Sequence, residues 1–181
     1  MKRMKLFPSV LTLLFLSNCG RIIDWTTSNF YQGQDVTLCT KNVEPFIQSV
    51  TIYDQLQTVA HFSAMWLSDT VRTAYSQLHV KRLGLGEDRF KPFLRRQLEE
   101  NSHFVSFYIL STHDVKLGVP ESHWSLFLRI DDVDYLPLEL KEVELPTEYQ
   151  EFFGKEWNRF KVPYLVKFSY KDENDEPIIT D

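Results

Sequence analysis

Three histidines, His103, His113 and His123, fall at even spacing, and Asp114 stands beside the middle one. Two or three imidazoles with a carboxylate form the donor set of a zinc site, so these are the candidate metal ligands. The spacing matches no compact ligand motif, and histidines at strand ends and in loops are ordinarily just solvated. Asp134, Glu139, Glu142 and Glu144 offer carboxyl groups from which a pair with split pKa values could be drawn for acid–base work. An exposed acidic strand face is the better account of them. Cys39 is a candidate nucleophile with any of the five histidines as its base, given a lowered thiol pKa. Tyr164, Phe168 and Tyr170 could line a ligand groove, although their alternation suits a core. Asp172, Asn174 and Glu176 alternate as in a calcium loop, but Pro177 takes the sixth position, where glycine makes the turn. There is no G-x-S-x-G, H-E-x-x-H or C-x-x-C, and six glycines leave little from which to build a phosphate cradle. No catalytic residue is assigned, and no cofactor is expected.

The other cysteine has a more specific setting. Met1 to Lys5 carries three positive charges and is followed by a mostly apolar run from Leu6 to Ser17. That run is shorter than the roughly 20 residues a membrane-spanning helix needs, and it fits a cleavable signal peptide over residues 1–18. It ends in Leu16-Ser17-Asn18-Cys19-Gly20, which resembles the lipobox of bacterial lipoproteins; Asn18 stands where Gly, Ala or Ser is usual. The resemblance covers the first twenty residues and implies that Cys19 is the modified residue and the mature N-terminus. Its thiol would carry diacylglycerol and its amine a further acyl chain such as palmitate, enough for stable anchoring. Gly20 is not the Asp that tends to hold such proteins at the inner membrane, which points to the outer membrane. With Cys19 lipidated, Cys39 has no intramolecular partner; otherwise the two could close a disulfide in an oxidising compartment.

Without Lys2, Arg3 and Lys5, the mature part carries 17 basic and 25 acidic side chains, a net charge of −8. Such a balance leaves no footprint for nucleic acid and repels anionic lipid head groups, so the lipid anchor is the expected route to the membrane. The charge is uneven. Residues 68–100 hold seven bases against five acids, and residues 131–181 hold six against fourteen, which describes either two solvated faces or a docking surface.

The elements follow from periodicity. Residues 20–45 are polar and aperiodic and read as a tether. A hairpin turning about residues 54–57 joins a strand over 46–53 to one in which Ala60, Phe62, Ala64 and Trp66 alternate with His61, Ser63 and Met65. Ser68 caps a helix with Val71, Ala74, Tyr75 and Leu78 on one face, stopped by Gly84 and Gly86. A second helix over 87–100 has Phe90, Phe93, Leu94 and Leu98 on one face, with Pro92 acceptable in the first turn. Strands follow over 103–111, 124–130 and 133–144, the last two joined by a tight turn at Asp131-Asp132, with Pro137 marking an edge or a bulge. Residues 149–154 make a short helical turn. The strictest alternation runs from Phe160 to Tyr170, one face buried and the other solvated, and the acidic segment 171–181 frays.

This order predicts an α+β fold, mainly an antiparallel β sheet or sandwich with an inserted helical pair. The expected divisions are signal peptide 1–18, lipidated cysteine and tether 19–45, one globular domain 46–170, and tail 171–181. The function expected first is a membrane-anchored envelope lipoprotein that binds or scaffolds a protein partner in the periplasm or at the cell surface. The alternatives are a hydrolase whose site is assembled from residues distant in sequence, and a small-ligand or lipid binder.

Overall fold

The computed structural model describes residues 39–55, 57–172 and 174–179. Cys19, the signal peptide and residues 19–38 of the expected tether lie outside the described residues. Among the described residues, five strands form one antiparallel sheet in the order β1-β2-β3-β7-β6. They are β1 (Ile47–Asp54), β2 (Gln57–Trp66), β3 (Phe104–Thr112), β6 (Glu139–Glu142) and β7 (Lys161–Ser169). A separate ribbon pairs β4 (Leu128–Ile130) with β5 (Val133–Tyr135). Besides the helical residues 39–43 and two short 3-10 turns, there are three helices: α1 (Asp69–Arg82), α2 (Glu87–Asn101) and α3 (Thr147–Phe153). The fold is α+β, built on one principal sheet.

Strand alternation gives that sheet two unlike faces. On one, Ala60, Val105, Ile109, Tyr164, Val166 and Phe168 form a core closed by Val115 and Leu117 of the following connection and by Ile178. Trp124 meets Phe62 edge-on there, with ring centroids 5.2 Å apart, and Leu117 N–H donates to the Tyr164 hydroxyl at 3.4 Å. Tyr164 and Phe168 thus belong to the core. The opposite face, carrying Ser63, Met65, Ser106, Tyr108 and Leu110, receives the helices: Tyr108 meets Tyr149 of α3 at 4.9 Å, and Lys167 pairs with Glu100 of α2.

The local signals are visible in detail. Ser68 Oγ accepts from Val71 N–H at 3.4 Å and caps α1, and Val71, Ala74 and Leu78 are buried as their spacing requires. Asp131 and Asp132 both have positive φ, 49° and 64°, the backbone of a type I′ hairpin turn.

Several expectations are corrected. The second face of β7 is not solvated, because helices cover it and Lys167 finds Glu100 beneath α2. Pro92 lies within α2, in its second turn; the carbonyl of exposed Asp88, which loses an intrahelical donor, is open to water. Residues 124–127 are not a strand, and the strand expected over 133–144 divides around Pro137 into β5 and β6. The folded body starts before Phe46: residues 39–43 are helical, and Val43 is 0% exposed. The acidic C-terminal segment folds back, with Lys171 bridged to Pro177, Asp172 Oδ1 accepting from the backbone of Asn174 and Glu176 at 2.8 and 2.9 Å, and Ile178 buried.

Candidate functional site

Between α1, α2, α3 and the sheet lies a cleft of about 170 Å³, lined by Arg72, Tyr75, Gln97, Glu100, Tyr108 and Tyr149 together with Leu67, Pro146 and Leu165. Helical spacing brings Arg72, Tyr75 and His79 to one side of α1. The Tyr75 ring stacks on Tyr149 at 4.4 Å and on His79 at 5.3 Å, and His79 stacks in turn on Phe93 at 5.0 Å. His79 Nδ1 lies 3.2 Å from buried Glu148, which also faces Arg82 at 3.7 Å.

Arg72 is only 2% exposed. Its Nε donates to Asn101 Oδ1 at 2.6 Å, and its Nη1 donates to Gln97 Oε1 at 3.2 Å and Glu100 Oε2 at 3.0 Å. Asn101 is held from behind, donating to Asp69 Oδ1 at 2.7 Å. The remaining nitrogen, Nη2, is buried and has no hydrogen-bond partner. A buried donor left in that condition costs about 1–3 kcal/mol, so it marks a place where a missing acceptor would be stabilising.

The surrounding groups have settled charges. Burial alone would raise the Glu100 carboxyl, but the Lys167 hydrogen bond and the charges of Arg72 and Lys167 outweigh it and hold Glu100 below the usual range. Burial pushes the Tyr108 phenol up to about 12, with Arg72 opposing the rise. Burial raises Tyr149 too, again against Arg72, and raises Tyr75 with help from Glu148. All three phenols therefore keep their protons near neutral pH and can serve as O–H donors.

A second constellation spans β1, β2 and the turn after α3. Thr51 Oγ1 lies 2.8 Å from His61 Nδ1, and His61 Nε2 lies 2.9 Å from Glu156 Oε2. Ser49 donates to Ser63 at 2.9 Å, and Ser63 donates to Glu156 at 3.0 Å. The His61 hydrogen bond, aided by Ser63, holds the Glu156 carboxyl below its ordinary value despite burial. An ionised carboxylate only accepts, so Nε2 of a neutral His61 carries the proton and Nδ1 accepts from the Thr51 hydroxyl. Hydroxyl, imidazole and carboxylate stand in relay order, the arrangement that activates a nucleophile.

The expected site residues are not gathered. His103 and His113 flank opposite ends of β3, a separation of roughly 30 Å at about 3.3 Å per residue. With His123 they are exposed, and among the described residues no group of three or more His, Cys, Asp or Glu side chains could hold a metal. Asp134 is taken by Arg129 at 2.6 and 2.8 Å. Glu139 pairs with Lys141 and Lys167, while Glu142 and Glu144 are exposed. Cys39 is a free, partly buried thiol whose pKa burial raises, the opposite of what activates a nucleophile. Among the described residues no helix is long and apolar enough to cross a membrane.

Sequence reasoning passed over Arg72, His61 and Glu156. Arg72 had one signal, its place between Val71 and Tyr75 on the face that α1 must bury; His61 and Glu156 had none, since only the tertiary fold brings them together. No protein-family model, curated protein or solved structure matches the chain.

Proposed function

We propose that the chain is an envelope lipoprotein held to a membrane through Cys19, whose folded body is a binding module for a protein partner. The observation that supports binding is the Arg72 guanidinium, fixed on two of its nitrogens and unspent on the third, at a cleft bordered by phenols. A donor held rigidly and left without an acceptor is organised before a ligand arrives, which lowers the cost of binding one. Lipid on Cys19 would confine this module to the membrane surface and leave the partner to approach from the aqueous side.

Two measurements test the reading. Cys19→Ala abolishes metabolic labelling with radioactive palmitate; undiminished label overturns the anchor. A photoreactive amino acid placed in cells at Gln97 or Pro146, both at the cleft, gives a discrete crosslinked protein adduct; absence of an adduct from either position overturns the partner.

A second reading, a hydrolase, is favoured by the Thr51-His61-Glu156 relay. It requires wild-type protein to cleave p-nitrophenyl acetate and Thr51→Ala to lose that cleavage. Equal rates in the two proteins remove it.

A further inference from the structure

We propose that the cleft at Arg72 is a carboxylate site, taking a single carboxylate carried on an apolar group, either a free organic acid or the C-terminus of a protein chain. The inference rests on the reading of the folded body as a binding module and adds the chemistry of what is bound.

Charge selects the ligand. Arg72, Lys167 and Glu100 meet at this place, with Glu100 joined to both cations. Lys167 also reaches Glu139 Oε2 at 3.7 Å, so its charge is already met, whereas the Arg72 guanidinium keeps a donor nitrogen without an acceptor, which a single carboxylate would supply. A phosphate dianion would bring twice that negative charge beside the Glu100 carboxylate. A neutral amide would leave the buried guanidinium without the charge-assisted bond that makes an arginine contact strong.

Geometry agrees with charge. Nε and Nη1 are committed to Asn101, Gln97 and Glu100 on α2, so the guanidinium is held in place with Nη2 as its remaining donor. Among the described residues the hydroxyls of Tyr75, Tyr108 and Tyr149 make no hydrogen bond to another side chain or to the backbone. The three tyrosines line the cleft together with Arg72, whose Nη2 has no acceptor, so protonated phenols and the guanidinium border the same space that a carboxylate would enter.

The walls account for the apolar part. Leu67, Pro146 and Leu165 share the lining with the tyrosine rings. The cleft, about 170 Å³, leaves room for a small apolar group beside the carboxylate. An acid with such a group places charge and hydrocarbon against matching surfaces.

The test uses the full mature protein purified in detergent and titrated calorimetrically with five probes: 3-phenylpropionate, the free-acid tripeptide N-acetyl-Ala-Ala-Leu, the amide of each, and inorganic phosphate. At least one free acid is expected to bind, with its amide at least tenfold weaker and phosphate weaker still. A tripeptide acid that outbinds phenylpropionate assigns the site to a protein C-terminus; the reverse order assigns it to a free organic acid. Arg72→Lys is expected to weaken binding at least tenfold. Because Arg72 is also tied to α2 and its loss bears on folding, Tyr75→Phe, which keeps the stacked ring and removes one hydroxyl, is measured beside it and is expected to weaken the acid but not the amide. Amides that bind as well as acids, phosphate that binds in their place, or no binding by any probe overturns the proposal. Crosslinked adducts without carboxylate binding would defeat this inference and leave the binding module standing; carboxylate binding without adducts would defeat the protein partner and keep the site.

Discussion

His61 Nε2 lies 2.9 Å from Glu156 Oε2, joining β2 to a turn ninety-five positions later in the chain. Because that hydrogen bond leads in holding the Glu156 carboxyl below its ordinary value, the contact makes stability depend on pH. A group whose folded pKa is depressed contributes stability above its unfolded pKa, about 4.3 for Glu, and loses it as pH falls through the folded value. Glu156→Ala is expected to cost about 1 kcal/mol near pH 7 in urea unfolding, with the gap from wild type closing below about pH 4. A gap that stays constant into acid would show that Glu156 acts through packing alone.

Val43 tests where the folded body starts. Its side chain is fully buried although it lies before β1, so Val43→Ala removes two buried carbons and leaves a small void. The expected loss is about 2 kcal/mol, measured as a lower unfolding midpoint. No loss would return residues 39–45 to the tether.

Gly118 and Gly84 both have positive φ, 73° and 63°, but only Gly118 is enclosed: a Cβ there would come within 2.9 Å of Leu140 Cγ and 3.3 Å of the Leu140 carbonyl oxygen. Gly84→Ala should cost about 1 kcal/mol, the backbone penalty alone. Gly118→Ala should cost more, because the connection that covers the sheet must also retreat from β6. Thermal unfolding of the two variants side by side decides it, and equal losses would mean that Leu140 yields freely.

Asp131 and Asp132 hold left-handed backbone in the turn between β4 and β5. Asn-Gly is the pairing that such a turn favours, and it removes two adjacent like charges. Asp131→Asn with Asp132→Gly is expected to stabilise the protein by about 0.5–1 kcal/mol, read as a rise in the thermal midpoint. A fall would show that the carboxylates have a use the turn does not reveal.

The elements were legible where a local signal had a single structural solution. Ser68 before a run of period near four, two adjacent aspartates between apolar stretches, and strict alternation from Phe160 to Tyr170 each led to one backbone geometry. What remained hidden depended on contacts across the chain. The second face of β7 looked polar because Lys161, Lys167 and Ser169 lie on it, and nothing in that stretch announces that Glu100 will meet Lys167 under a helix. The site was hidden for the same reason. Histidines catch the eye as ligands when evenly spaced, but β3 holds His103 and His113 at its two ends, whereas Arg72 looked like one more surface base on a helix rich in them. The period of α1 places Arg72 on the buried side; only the packing of α2 and α3 shows that one of its nitrogens is left over.

The place of β7 within the sheet has a consequence for assembly. β7, the last strand among the described residues, is not an edge but is wedged between β3 and β6, pairing with both. Until residues 161–169 have left the ribosome, β3 keeps one open side and β6 has no neighbour. The order of synthesis therefore cannot be the order of folding, and pairings of such long sequence separation form slowly. A sheet that only β7 completes stays unfinished until that strand has been made, and its earlier strands wait with open edges.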